Sequence, residues 1–411
     1  MESGITLFSV IMLLGAAHGL FLALALVNAR GGNPIGHRFL ALLTLAFAID
    51  LGHEFLYQTH YLLNVLELAY LDPNINLLYG PSFYLYTCAL TEGDRFQFRI
   101  KKWLHFLPFV FVMILCALLP SLSVEQFSNL LYDGVVSTSD KDEVIARHVV
   151  ASVALSSGLL IGIYLILSIH RLIRHTRLIQ QQFSSIEQIS LNWLKKLFIA
   201  LSFLYLILFF GGFLSESFGI SEEITKLLYL MIVVVIYTMG YLGLRQPVIF
   251  SVQSTDKDTE TTNLLRETQE NEGLLNGSES TKKYQTSALD AGMSTALREE
   301  LEHHMMDKKP HLDNKLTLGQ LAAQLGISAN YLSQVINEQF ERNFFDFING
   351  HRVEEAKRLL TDPDNAETSI LNIALDAGFN SKSAFYTAFK KHTDLTPSQF
   401  KKTLLSCSNT A

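Results

Sequence analysis

The chain has 411 residues, of which 49% are hydrophobic, and a formal net charge of −7. Its mean hydropathy of +0.24 is high for a soluble protein of that length, so membrane spans are the first thing to seek. Cys88, Cys116 and Cys407 are too few and too scattered for a disulfide framework, and no Walker loop, dinucleotide-binding glycine motif or nucleophile elbow is present.

In chain order, the apolar runs predict seven spans: about 5–27, 37–57, 75–91, 103–120, 148–170, 196–214 and 226–244. Each is long enough, or nearly so, to cross a bilayer as a helix. The third is interrupted by Pro73 and by Leu78-Tyr79-Gly80-Pro81. Loop charge gives the orientation. Arg30, Arg38, Arg95, Arg99, Lys101, Lys102, Arg171, Arg174, Arg177, Lys195 and Lys196 follow spans one, three and five, 11 in all. The N-terminus and alternate loops hold only Lys141, Arg147 and Lys226. The positive-inside rule then places the N-terminus in the periplasm and residue 245 onward in the cytoplasm of a bacterial inner-membrane protein. Glu2 before the first apolar run, with no basic n-region, argues against a cleavable signal peptide.

On span two, Asp50, His53, Glu54 and Tyr57 fall at i, i+3, i+4 and i+7 and share one face, in the outer half by this orientation. His18 sits near the middle of span one. Ionisable groups inside a span are costly, which makes these five residues a possible signal site for a polar ligand, proton or metal. The plainer reading is interhelical hydrogen bonding near the outer interface. A zinc hydrolase is the third reading; Asp50 and His53 have usable ligand spacing, but one helix supplies only part of a site and no second cluster completes it. No catalytic set, metal site or cofactor is assigned. The tyrosines of span three either line a pocket or anchor at the interface.

Three phrases, Leu78-Tyr79-Gly80-Pro81-Ser82-Phe83-Tyr84-Leu85-Tyr86, His105-Phe106-Leu107-Pro108-Phe109 and Gly240-Tyr241-Leu242-Gly243-Leu244-Arg245-Gln246-Pro247, resemble a seven-span module that bacteria attach to regulators or histidine kinases. The resemblance implies a sensor without naming its ligand. Residues 251–292 are rich in Ser, Thr, Asn, Gln, Glu and Asp and read as a disordered or transiently helical linker. A flexible chain of that length reaches roughly 35 Å.

The last part of the chain repeats a spacing. Leu321, Ala322, Leu325, Gly326, Ile327, Leu332 and Val335 form one pattern; Ile373, Ala374, Ala377, Gly378, Phe379, Phe385 and Phe389 form another. In each, a small residue lets two helices approach and a Gly four residues later makes a turn that needs positive φ. Thr317 with Gln320 and Thr396 with Gln399 read as capping boxes, with Pro397 at a first helical position. Ser328 and Ser381 read as N-caps of helices over roughly 329–340 and 382–392. Between them, residues 343–360 predict a helical strut of roughly 27 Å, suited to hold two helices about one DNA turn apart.

The stretch Ile373–Lys391, followed by Leu395-Thr396-Pro397-Ser398, resembles the second helix-turn-helix of the AraC/XylS family of bacterial transcription regulators, and the resemblance covers roughly residues 293–405. It implies two recognition helices reading successive major grooves. Three positions depart from the family pattern. Glu341-Arg342 and Asp394 stand where glycines are common, and Thr387 stands where Arg is frequent. The family also implies a structural ion-pair role for Arg352, rather than a phosphate contact. His303 and His304 read as solvated helix residues.

The expected fold is all-α: a seven-helix transmembrane bundle (1–250), a flexible cytoplasmic linker (251–292) and a DNA-binding domain of two helix-turn-helix units joined by a long helix (293–411). The expected function is a membrane-anchored one-component transcription regulator. The alternative is a membrane enzyme or transporter whose C-terminal domain is only regulatory. Asn330, Ser333, Gln334 and Asn337, then Lys382, Ser383 and Thr387, are the candidates for base edges or nearby phosphates. Tyr386, Lys390, Lys391, Lys401 and Lys402 are the phosphate-positioning candidates. Expected partners are double-stranded DNA, the lipid bilayer, a second copy of the chain and an unidentified small-molecule or ion signal. Residues 293–411 carry 13 Lys/Arg against 15 Asp/Glu, but 380–402 carry five Lys against Asp394, so a local basic face and salt-sensitive affinity are expected. Topology is checked with reporter fusions. Periplasmic reporters are expected to be active after residues 60, 135 and 220, and cytoplasmic ones after 32, 98, 182 and 255; a periplasmic signal at 255 would sink the seven-span reading.

Overall fold

The computed structural model describes residues 5–29, 32–65, 75–93, 96, 99–117, 141–187, 189–218, 222–244, 286–365 and 367–408. Among them there is no strand; the one isolated bridge joins Phe183 and Thr317. The chain divides into two compact units, one of residues 1–174 and 191–251, the other of residues 175–190 and 252–411.

The first unit contains α1 (Leu7–Val27), α2 (Pro34–Gln58), α3 (Tyr79–Glu92), a short α4 (Ile100–Trp103), α5 (Leu107–Ala117), α6 (Lys141–Gln182, counted with this unit as far as Arg174), α7 (Asn192–Phe218) and α8 (Glu222–Leu244). A helix coincides with each of the seven apolar runs. Three of them, Leu7–Val27, Pro34–Gln58 and Leu155–Gln182, are long and apolar enough by themselves to cross a membrane, and Tyr229–Leu242 is a shorter apolar helix. The expected break in span three is real: a 3₁₀ turn over Asn76–Leu78 precedes α3, and Pro81 falls in its first turn, where a missing N–H is tolerated. Residues 118–120 of span four lie outside the described residues. Span five is longer than hydropathy suggests, because good helix formers carry α6 on past residue 170. Leu40, Leu43, Leu51, Leu85, Tyr86 and Phe198 are buried at the centre of this unit. Large apolar side chains also face outward, among them Phe21 (68% exposed), Ile166 (67%) and Phe203 (69%).

The second unit contains α9 (Thr286–Asp307), α10 (Leu318–Gln324), α11 (Ala329–Phe340), α12 (Phe344–Thr361), α13 (Ile370–Asp376), α14 (Lys382–Thr393) and α15 (Pro397–Ser408). α9 takes in residues 286–292, the end of the expected linker; residues 251–285 lie outside the described residues. The start signals act as read. Thr317 and Gln320 close a capping box, and Thr396 and Gln399 bond reciprocally. Ser328, Asn343 and Ser381 each accept a backbone N–H as N-caps. Two clusters of apolar side chains build the unit. Leu301, Leu321, Leu332, Ile336, Phe344 and Ile348 pack α9, α10 and α11 on the first part of α12. Val353, Ala356, Ile373, Phe379, Phe385 and Phe389 pack α13 and α14 on its second part.

The departures from the family pattern have a conformational counterpart. Glu341 (φ 53°) and Asp394 (φ 59°) follow α11 and α14 in left-handed backbone, where glycine is the least strained residue. Gly326 (φ 68°) and Gly378 (φ 88°) make the expected turns. Their surroundings differ. A Cβ on Gly326 meets open space, whereas one on Gly378 runs into the His311 carbonyl and comes within 2.9 Å of the Leu312 Cα. Gly326→Ala is therefore expected to cost about 1–2 kcal/mol from backbone alone. Gly378→Ala adds overpacking of about 1–3 kcal/mol. Pulse-proteolysis midpoints in urea measure both; equal losses would contradict the close approach at Gly378.

Candidate nucleic-acid interface and a buried polar stripe

α11 buries Leu332, Val335 and Ile336, so helical periodicity turns Asn330, Gln334 and Asn337 to solvent, with Ser333 half-buried beside them. Gln334 donates to Glu338 Oε1 at 2.9 Å, and Asn337 reaches Ser333 Oγ at 3.5 Å. α14 buries Phe385, Ala388 and Phe389 and exposes Lys382, Ser383, Thr387, Lys390 and Lys391. Thr387 donates to the Ser383 carbonyl at 2.9 Å. Tyr386 is half-buried, its hydroxyl 3.1 Å from Ser398 Oγ and its ring under the Lys382 ammonium at 5.4 Å. The expected basic face is uneven. Lys391 is held by Asp346 of α12 at 2.6 Å, and the half-buried Lys401 leans toward the Thr368 carbonyl at 3.5 Å, while Lys390 and Lys402 are exposed. The Lys391–Asp346 pair, 45 residues apart, carries no local sequence signal.

Arg352 is 1% exposed, which removes any phosphate contact. The expected ion-pair role also needs correcting, because its hydrogen-bond acceptors are carbonyls and neutral side chains. The guanidinium donates to the carbonyls of His311 and Ser184 at 2.8 Å and of Asp313 at 2.9 Å, to Ser184 Oγ at 3.0 Å and to Asn349 Oδ1 at 3.2 Å. Burial lowers its pKa to about 10, against the opposing pull of Glu187 and Asp313, and it stays charged at neutral pH. Beside it, His311 stacks near His351 with ring centroids 5.7 Å apart, and its buried Nδ1 has no hydrogen-bond partner. Burial first, then the neighbouring His351, lowers the His311 pKa to about 4. Burial first, then Arg342, lowers both His351 and His392. His303 is exposed and pairs with Asp307, as a solvated residue would; His304 instead bonds Gln324 at 2.8 Å, tying α9 to α10.

On α2, Asp50 and Glu54 are buried, and His53 and Tyr57 half-buried. Asp50 Oδ2 accepts from the Tyr79 hydroxyl of α3 at 3.0 Å, and Glu54 accepts from Gln58 at 2.8 Å. His18 stacks face to face on Tyr237 of α8, centroids 3.9 Å apart. Sequence reading missed Tyr79 and Tyr237, because their partners lie on other helices. Among the described residues no three His, Cys, Asp or Glu side chains gather as a metal set.

Residues 321–403 match the family model described as a Helix-turn-helix domain, and the C-terminal part of the chain is an AraC-type helix-turn-helix domain. Over 90 residues the chain is 34% identical to the melibiose operon regulatory protein of Escherichia coli (strain K12), covering 22% of this chain and 29% of that protein. Over 91 residues it is 36% identical to an uncharacterized HTH-type transcriptional regulator of Staphylococcus aureus (strain COL), covering 22% of this chain and 12% of that one. Among solved structures it is similar to the C-terminal domain of the two-component response regulator yesN from Fusobacterium nucleatum, at 30% identity over 26% of this chain and 98% of that one, with a TM-score of 0.23. A second is the C-terminal domain of AraT, a response regulator from Geobacillus stearothermophilus, at 30% identity over 26% and 83%, TM-score 0.23. The chain thus spans less than a third of the length of the curated relatives it matches.

The histidines make the domain acid-sensitive. His311 is neutral in the folded chain down to about pH 4 but titrates near 6.5 when unfolded. As pH falls below 6.5 the unfolded chain takes up a proton that the native state refuses, so stability falls through that window. The slope is about 1.4 kcal/mol per pH unit at most for this one group, with His351 and His392 acting in the same direction. Urea midpoints at pH 7.5 and 5.5 are expected to converge in His311→Gln relative to wild type; an unchanged difference would refute the assignment.

Proposed function

We propose that the chain is a membrane-anchored, one-component transcription regulator, in which a seven-helix membrane domain biases a cytoplasmic DNA reader rather than serving an enzyme or transporter. The observation that carries this reading is the helix-turn-helix match over residues 321–403, joined to the exposed polar faces of α11 and α14. The pairs α10–α11 and α13–α14 act as two helix-turn-helix units, with α11 and α14 as recognition helices in successive major grooves. α12, at 18 residues, is the strut that sets their separation, about 27 Å along its axis. Membrane anchoring is supported by the outward-facing apolar side chains of the first unit, and the loop-charge bias favours a cytoplasmic side for the second. Self-association on repeated half-sites fits a domain whose net charge is slightly negative. A polar or ionic signal acts at the stripe of His18, Asp50, His53, Glu54 and Tyr57, to which Tyr79 belongs as the partner of Asp50.

The test is selection of the full chain, in lipid nanodiscs, on a randomised duplex library at low salt. Gln334→Ala is expected to relax preference at one position. Lys390→Ala is expected to weaken all sequences alike and to lower the salt slope by about one. Asp346→Asn releases Lys391 and raises non-specific affinity. Asp50→Asn alters promoter occupancy in cells and leaves the selected motif unchanged. Absence of any sequence preference in the wild-type chain would refute the DNA-reading proposal.

A further inference from the structure

The chain between α6 and α7 belongs, over residues 175–190, to the same compact unit as the C-terminal domain. Its contacts there are specific. Phe183 forms an antiparallel bridge with Thr317, the residue that caps α10. Ser184 donates to the Leu316 carbonyl twice, from its backbone N at 3.2 Å and from Oγ at 2.6 Å. Arg352 closes over it, with Nη1 on the Ser184 carbonyl at 2.8 Å and Nη2 on Ser184 Oγ at 3.0 Å. Ser184 is 1% exposed and Ile186 8%, so this is a seated segment rather than a loop that grazes a surface. The same guanidinium holds the carbonyls of His311 and Asp313, and the His311–Leu312 backbone abuts the Gly378 turn. One loop, 311–317, therefore touches the segment, the long helix and the Gly378 turn, and leads directly into α10.

We propose that residues 183–187 are a strap that docks into a cleft built by Arg352 and the 311–317 loop, so that the DNA-binding domain is discontinuous in sequence and is tethered twice, by the strap and by the chain leading to α9. The cleft is an interaction surface whose partner is a short, serine-centred segment of this chain that ends on Glu187, whose charge favours the Arg352 guanidinium. Arg352 is the residue that recognises it, because Nη1 and Nη2 together donate to the Ser184 carbonyl, the Ser184 hydroxyl and the Ser185 hydroxyl (3.4 Å) while also holding Asn349 and Asp313. The inference rests on the membrane-anchored reading for the first arm of its test alone.

A site-specific protease sequence is placed between residues 262 and 263 of the full chain, which is then cleaved in native membranes and sedimented. With the strap docked, the C-terminal fragment stays in the membrane pellet after cleavage. Arg352→Met and Ser184→Leu are each expected to raise the released fraction about tenfold, since each removes hydrogen bonds to a charged group. Ser184→Leu leaves every residue of the released C-terminal fragment unchanged, and that fragment is expected to resist proteolysis as a folded domain. Full release of the wild-type fragment from membranes that retain the uncut chain overturns the strap, as does equal retention in both variants. If the uncut chain itself fails to sediment, the membrane reading falls, and amide exchange decides the strap separately. The Ser184 amide is then expected to exchange slowly and to speed at least tenfold in Arg352→Met; a fast wild-type amide overturns the proposal.

Discussion

A charged guanidinium held almost entirely out of water is the constraint around which the C-terminal unit is organised. Burying an unpaired charge is prohibitively costly, so Arg352 requires a full set of acceptors. It finds them on three stretches of chain, 39 to 41 residues upstream at Asp313 and His311, three residues upstream at Asn349, and 168 residues upstream at Ser184. Because carbonyls rather than a carboxylate receive its protons, the charge fixes backbone paths instead of a second side chain. Those paths are the loop that enters α10 and the segment beside it. Apolar packing brings α12 against both helix pairs, but packing alone tolerates sliding; six directional bonds from one planar group do not. Removing the group while its acceptors stay buried costs more than the bonds contribute net, which is the asymmetry of any buried polar network.

Much of this architecture is written in short-range signals. The caps at Thr317, Ser328, Asn343, Ser381 and Thr396 act over three residues, and the Ala-to-Gly spacings over four, so sequence shows them directly. The seven apolar runs coincide with helices because hydropathy over twenty residues is a local quantity too. Its failures are instructive. α6 runs past residue 170 because a hydropathy window ends where charge begins, whereas a helix ends only where a breaker or cap stands. Glu341 and Asp394 keep the left-handed conformation that the family usually gives to glycine, so identity at those positions varies while geometry stays. The Arg352–Ser184, Lys391–Asp346 and Asp50–Tyr79 contacts were illegible for a common reason. Each is a pairing of single residues on separate elements, and no periodicity reports it.

The electrostatics of the domain set how tightly it can hold DNA. A net charge of −2 over residues 293–411 leaves attraction to the five lysines around α14. One of those is neutralised by Asp346, and another lies half-buried against Thr368. The histidines add nothing at neutral pH, because desolvation lowers the pKa of the buried His311 and of the half-buried His351 and His392. On the proposed reading of these lysines as phosphate contacts, few free ones mean a shallow salt slope and weak non-specific binding for a single copy. Occupancy of a promoter by such a domain depends on effective concentration, which pairing of two copies on adjacent half-sites raises without any new base contact.

That dependence gives the strap its place in the argument. A sensor changes an output only through contacts that differ in free energy between its two states. A flexible tether of roughly thirty residues would change local concentration little when its far end shifts by a few ångströms, since the reach of such a chain varies with the square root of its length. The Ser184–Arg352 contact behaves differently. Withdrawing the strap strips three acceptors from a buried cation and frees the Leu316 carbonyl at the entry to α10. The 311–317 loop must then rearrange or admit water, and that loop abuts the Gly378 turn that precedes α14. If the docked and undocked strap correspond to two states of the domain, linkage is reciprocal: a DNA site that favours one of them must favour the corresponding position of the strap.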